Sequence, residues 1–421
     1  MKFLLNRLTV TLVVITVMSG FIFTGCEKDD PEDFLGSISV QLVLKDGLSG
    51  ISLENVNLSL INTQDNLEKK MLTDASGKAQ FLSLPAGTYN LNISEPREDG
   101  EYMLTGTFNS IVVSIQQDTP IVVSIDAVIS NAGLVIKEVY YPGANDKYVS
   151  MFKDQFIEFF NNSSEVIYAD GLYVANIYPD RFGRTLPQPL NQMLDITQTV
   201  YAMWVYQIPG TGKEYPVEPS KSLMIALNAM NLKEGNPQPD KALDNTIADL
   251  ETYAVPWFEA QGLRGNPYYD FDNPDVPNVI PVYCLPPLDF FIIEQRGPGM
   301  VIAKVEKGLS EADLHKFSFI DKKGKDIEVN LMKIPVKDVI DGVEFLENST
   351  LGDWKVLPVS IDASFNYLKA DGGAAYSGLS ARRKIDKSAT AKFGRTILLD
   401  TDNSFIDFEI IDFPDPKGYN K

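Results

Sequence analysis

The sequence predicts an all-β chain: a small β-sandwich followed by a larger β-sandwich. Short runs rich in Val, Ile, Leu, Phe and Tyr recur along it, many alternating apolar with polar, and clusters of Gly, Pro, Asn and Asp break them at regular intervals. A length of 421 residues is enough for two or three domains.

The leader comes first. Lys2 and Arg7 precede an apolar run over residues 8–23, which has the length of a secretory h-region and is short for a membrane span. The run closes on Phe23-Thr24-Gly25-Cys26, which resembles the lipobox of a bacterial lipoprotein. That resemblance implies a signal peptide over 1–25 and a lipid on Cys26. The acidic stretch EKDDPED follows, within a tether at 26–35, and resembles the signal that sends lipoproteins of the Bacteroidota to the outer face of the outer membrane. The expected location is therefore the outer membrane, lipid-anchored and facing the cell exterior, with the N-terminal lipid as the membrane partner.

Charge agrees with that address. Loss of Lys2 and Arg7 with no acid takes the formal charge from -20 to -22, a surface that repels nucleic acid. With Cys26 lipidated, Cys284 has no partner for a disulfide, so burial alone must hold the core. No second apolar span follows the leader.

Residues 36–130 read as the small sandwich. GSISVQLVL, NVNLSLI, KAQFLSL, GTYNLNI and the paired IVVSI runs are strands. Between them, Asp74 and Gly77 form a turn, Phe81 points inward, and Pro85 with Gly87 sets a hairpin. The segments LTDASGKAQF and LPAGTYNL resemble the carboxypeptidase-regulatory-like, or prealbumin-like, fold. Such modules serve as spacers or docking units.

Residues 134–416 read as the larger sandwich. LVIKEVYY and QFIEFFN are strands in which Glu138 and Glu158 interrupt apolar faces, and a buried carboxylate needs a partner. Asn161 ends the second strand and is placed to cap the following turn. PSKSLMIA and PGMVIA are expected to be central strands, and YAMWVY, with Tyr201, Trp204 and Tyr206, a buried or half-buried one. The opening strands, the SARRK segment and the closing DTDNSFIDF and Pro414-Asp415-Pro416 segments resemble a lamin-tail domain, which implies an immunoglobulin-like β-sandwich, here much enlarged by long insertions. The resemblance implies that Glu138 and Glu158 take hydrogen bonds or ion pairs from Arg382 or Arg383, pinning the first strands to the last. Acid-base or metal work by the two glutamates is the other reading. The whole layout resembles outer-membrane lipoproteins of the Bacteroidota classed as a domain of unknown function.

The insertions carry the binding candidates. Residues 251–291 are dense in Pro, Asn and aromatics and do not suit a regular helix. Tyr253, Trp257, Phe258, Tyr268, Tyr269 and Phe271 could there stack a glycan or grip a partner such as an outer-membrane transporter; packing inward is the alternative. Asp270, Asp272 and Asp275 offer oxygens at a spacing that suits Ca²⁺, although the Gly and terminal Glu of an EF-hand are missing. No other cofactor is expected.

Catalytic parts are few. His315 is the single histidine, in SEADLHKF, which reads as a short helix. No G-x-S-x-G, H-E-x-x-H or P-loop pattern occurs. Cys284 reads as a buried small hydrophobe. The expected function is a non-catalytic binding or accessory lipoprotein; a carboxylate-based surface hydrolase and an adhesion or assembly component are the alternatives.

Overall fold

The computed structural model of the chain describes residues 35–45, 48, 50–97, 102–113, 119–128, 133–178 and 186–420. The leader, Cys26 and most of the acidic tether lie outside the described residues, as do Asn131 and Ala132. Among the described residues no helix is long and apolar enough to cross a membrane.

Seven strands come first: β1 (Leu35–Leu44), β2 (Asn57–Asn62), β3 (Glu68–Leu72), β4 (Lys78–Pro85), β5 (Gly87–Arg97), β6 (Tyr102–Val113) and β7 (Ile121–Val128). They pair in the order β3-β2-β5-β6-β7-β1-β4, antiparallel throughout except for β1 beside β7. Alternation puts Ile38, Val40 and Leu42 of β1 into an apolar core with Leu58, Leu60, Phe81, Leu91 and Ile93. Each such side chain contributes roughly 1.5 to 3 kcal/mol on burial. The sheet curls until its edge strands meet, where Lys69 Nζ donates to the carbonyls of Leu82 and Ser83 at 3.1 and 2.7 Å. The Asp74 turn forms as its residues dictate. Asp74 Oδ1 accepts from the Ser76 hydroxyl and from the N–H groups of Ser76 and Lys78, which holds its carboxyl below the ordinary range, and Gly77 takes φ +73°.

The remaining strands are β8 (Leu134–Tyr140), β9 (Phe156–Asn161), β10 (Ile167–Tyr168), β11 (Tyr173–Ile177), β12 (Thr199–Gln207), β13 (Pro216–Val217), β14 (Ser222–Ala226) and β15 (Leu250–Glu251). After them come β16 (Ile280–Cys284), β17 (Gly299–Ala303), β18 (Leu314–Ile320), β19 (Asp326–Pro335), β20 (Val339–Glu344), β21 (Ser380–Arg383) and β22 (Phe408–Ile411). One sheet runs β15-β14-β9-β8-β21-β22. The other runs β18-β19-β12-β11-β17-β20, with β16 also on β12. A single large core joins them, with Ile136, Ile157, Phe159 and Leu223 on one side and Trp204, Val301 and Ile334 on the other. β11 and β17 are buried along their whole length, and their runs are continuous rather than alternating.

His315 departs from expectation. It lies on β18, opposite Leu331 of β19 and 5.3 Å from the Tyr201 ring, because LHKFSFI alternates at the strand period and only residues 311–313 before it form a helical turn. The 251–291 insertion does contain a helix, α2 (Val255–Ala260), of six residues with Pro256 in its first turn. The other α-helices among the described residues are short as well: α1 (Lys147–Ser150) precedes it, and α3 (Lys387–Phe393) and α4 (Ser404–Asp407) follow.

Candidate functional site

The glutamates of the opening strands face away from the large core, and a bulge is the reason. Pairing of β8 with β9 slips between Ile136 and Glu138, so Lys137 and Glu138 both point outward before Val139 returns to the core. Glu138 then sits directly opposite Glu158. Like charges in that register repel, and Lys137 answers them: its Nζ lies 2.8 Å from Glu158 Oε1, with both side chains fully buried.

The arginines hold other acids, which corrects the expected pairing. Glu138 Oε1 accepts from Ser380 Oγ at 2.6 Å and from the Asp415 N–H, while its Oε2 has no hydrogen-bond partner. Burial pushes Glu138 up to about 7. Glu158 accepts from Lys137, from Ser222 Oγ and from the Lys417 N–H. Arg382 instead pairs with Glu409 and Asp415, at 2.7 and 3.1 Å. Arg383, buried to 1% exposure, pairs with Asp341, Asp400 and Asp407 and donates to the Ile136 carbonyl. The first and last strands are thus pinned together, but by Ser380, the segment 415–417 and the Arg383–Ile136 bond. Asn161 caps its turn as its residue type suggests, accepting from Ser163.

These acids are closed off from solvent. Each oxygen that could act on a substrate is covered: Glu138 and Glu158 lie beneath residues 415–419, and the Tyr419 ring is flanked by Lys137 and Arg382. A second buried pair, Lys355 with Glu344 at 3.0 Å, does the same work beside Asp362.

Within 251–291 the expected cation ligands part company. Asp270 turns inward, where its carboxylate accepts from the Ala254 N–H at 2.8 Å and burial pushes it up to about 7. Asp272 and Asp275 are exposed, and Asp272 Oδ1 takes the Asn278 amide. Among the described residues no group of three His, Cys, Asp or Glu gathers to hold a metal. Glu251, also pushed up to about 7 by burial, spends both oxygens on the N–H groups of Ala229 and Asn273.

The rings divide between core and surface. Phe258 is fully buried against Phe291, and Trp257 packs partly buried beside it. Tyr253 is half-buried. Tyr268 and Phe271 are 57% and 46% exposed, and Tyr269 lies between them. The exposed rings do not stand alone. Tyr269 meets Tyr268 edge-on at 4.8 Å and stacks on Phe290 at 5.1 Å. Lys153 Nζ lies 4.1 Å above the Tyr268 ring, and the Tyr268 hydroxyl reaches Met151 Sδ. Next to Met151, Phe152 packs on Tyr376 at 4.8 Å.

Backbone strain marks the same place. Met151, Phe152 and Tyr376 adopt φ of 49°, 71° and 58°, left-handed conformations that bulky side chains rarely occupy. Gly143 and Gly378 permit the close approach: a Cβ on Gly378 would lie 3.0 Å from Asn145 Cβ. Phe152, Phe290 and Tyr376 carry no local signature in the sequence. Three distant segments bring them beside the 268–271 tip.

The fold matches known ones. Residues 39–128 match the prealbumin-like fold domain, and residues 218–415 match the family described as protein of unknown function (DUF4876). The crystal structure of a DUF4876 family protein from Bacteroides thetaiotaomicron VPI-5482 aligns over 89% of this chain and 94% of its own, with a TM-score of 0.53 at 23% identity. The crystal structure described as a "putative carbohydrate binding protein" from Bacteroides uniformis ATCC 8492 covers 46% of this chain and 99% of its own at 12% identity, with a TM-score of 0.16. No curated protein matches. The chain thus joins a prealbumin-like fold domain to a DUF4876 region within an all-β, sandwich-type architecture.

Proposed function

We propose that this is a lipid-anchored, non-catalytic binding protein of the outer cell surface, which captures a ligand or docks on an outer-membrane transporter through the aromatic surface of Phe152, Tyr268, Tyr269, Phe271, Phe290 and Tyr376. The observation that carries it is the strained pair Phe152 and Tyr376, held in left-handed backbone beside exposed rings. A fold does not ordinarily spend that strain on its surface without use. Exposed aromatic rings on a rigid β-scaffold are what contact hot spots are made of. The buried acids support the non-catalytic side, since backbone N–H groups or neighbouring side chains occupy Glu158 and Glu251 and one oxygen of Glu138, whose other oxygen is buried. The lipobox resemblance and the acidic stretch after Cys26 support the anchor.

The test is cross-linking in intact cells followed by affinity capture and mass spectrometry, comparing the wild type with Tyr268→Ser/Phe271→Ser. A specific transporter recovered by the wild type and lost by the variant supports docking; equal recovery from both removes the aromatic surface from the reading. A Cys26→Ser variant released from the membrane fraction, with loss of labelling by a fatty-acid analogue, checks the anchor.

A further inference from the structure

The two sandwiches meet across a polar cleft that the aromatic surface does not touch. It encloses about 390 Å³ and is walled on one side by Thr63, Thr88, Asn90 and Ser110 of the first sandwich. The loop 349–353 supplies the other wall, with Ser349, Thr350 and Asp353. The volume falls at the lower end of small-molecule sites, which favour domain junctions.

We propose that this cleft binds a neutral, hydroxyl-rich small molecule, a saccharide of one or two rings. Its lining is hydroxyls, amides and backbone, with one carboxylate, one apolar side chain, Val112, at the mouth, and no cation. An anion would face Asp353 without a counter-charge, and an apolar ligand would offer no partner to the groups that the walls do not already bond among themselves, the Asn90 amide N–H groups and Asp353 Oδ2. Groups that both donate and accept are matched by a ligand whose own groups do both.

The walls are built rather than incidental. Ser110 is left-handed at φ 58°, with its N–H on Asn90 Oδ1 at 3.0 Å and its hydroxyl on Asp353 Oδ1 at 2.9 Å, so one strained residue ties the two sides. Gly352 lets the loop come close: a Cβ there would lie 3.1 Å from the Phe365 ring and 3.5 Å from Ser110 Oγ. Ser349 Oγ donates to the Thr63 carbonyl, and the Tyr367 hydroxyl donates to Asn66 Oδ1 at 2.6 Å, which fixes the separation of the walls.

The experiment uses the full chain in detergent with glucose, galactose, N-acetylglucosamine, maltose, lactose and cellobiose as probes, read by saturation-transfer NMR and calorimetry. At least one sugar is expected to bind, and Val112→Trp, which fills the mouth from an exposed strand position, is expected to weaken it about tenfold or more, as is Asn90→Ser. Tyr268→Ser/Phe271→Ser is expected to leave that affinity unchanged, so the cleft and the aromatic surface are read separately. Binding by none of the six sugars overturns the proposal. So does binding that survives Val112→Trp, and so does binding that the Tyr268→Ser/Phe271→Ser variant abolishes.

Discussion

The two sandwiches solve the same problem, holding a β core without a disulfide, with different chemistry. The first is apolar within: Val, Ile, Leu and Phe alternate inward along β1, β2, β4 and β5, and its ion pairs, such as Lys45 with Asp126, are exposed. The second buries charge. Lys137 with Glu158, Lys355 with Glu344, and Arg383 with Asp341 and Asp407 all lie at or below 9% side-chain exposure. Apolar burial tolerates small losses, whereas a buried ion left without its partner costs far more than the pair contributes. Contacts between the sandwiches are polar, such as Thr105 Oγ1 to the Thr401 carbonyl at 3.2 Å, and the two main cores share no residue. Local damage to one should therefore transmit weakly to the other.

The tryptophans make that difference measurable. Trp204 and Trp257 lie within the second sandwich and Trp354 beside its 349–353 loop, so their fluorescence reports chiefly that sandwich while circular dichroism reports both. Arg383→Met should have the largest effect, because it strands Asp341 and Asp407; a loss of about 3 to 5 kcal/mol is expected in the tryptophan-monitored urea transition. Leu91→Ala should cost the first sandwich about 2 to 5 kcal/mol through its cavity, seen as an earlier circular dichroism phase with the tryptophan transition unmoved. A tryptophan transition that shifts equally with Leu91→Ala would break the separation drawn between the two cores.

Proton linkage sharpens it further. Glu138 has a folded pKa of about 7 against 4.5 for the ordinary carboxyl, so the folded chain holds a proton that the unfolded chain has lost across that interval. Its contribution is therefore full below about 4.5 and is lost as pH rises through about 7. Glu138→Gln cannot ionise, so relative to wild type it should gain about 1 to 3 kcal/mol between pH 5 and pH 8, read from urea midpoints at each pH. A pH-independent difference would mean that the carboxyl is already ionised at pH 5. The smallest effect belongs to the surface: Tyr268→Ser should change either transition by less than about 0.5 kcal/mol, since the ring is more than half exposed.

Legibility follows range of interaction. The Asp74 turn, the inward Phe81, the Asn161 cap and the buried YAMWVY strand were all readable, since each depends on residues within a few positions of itself. Lys137 was overlooked, although two adjacent charges inside LVIKEVYY break the alternation of a regular strand and can signal a bulge. The expected pairing of Glu138 and Glu158 with Arg382 and Arg383 failed because partner choice depends on how side chains project. Arg382 is registered between Glu138 of β8 and Glu409 of β22, and its guanidinium goes to Glu409 and to Asp415 beyond it. In the 251–291 insertion the residue types told of rings and acids but not of their direction: Phe258 turned in, Tyr268 out, and Asp270 away from Asp272 and Asp275.

By itself, then, the sequence determined the strands, the turns between them and the all-β class, because alternation and turn chemistry are local and the backbone obeys them wherever the chain goes. Only the tertiary structure decided which charges share a buried site and which rings share a surface. Arg383 lies 42 residues from Asp341, and Tyr376 lies 224 from Phe152, separations over which no local pattern specifies a partner. Packing of whole sheets brings such groups together, and the cost of an unpaired buried charge then selects the arrangement that persists.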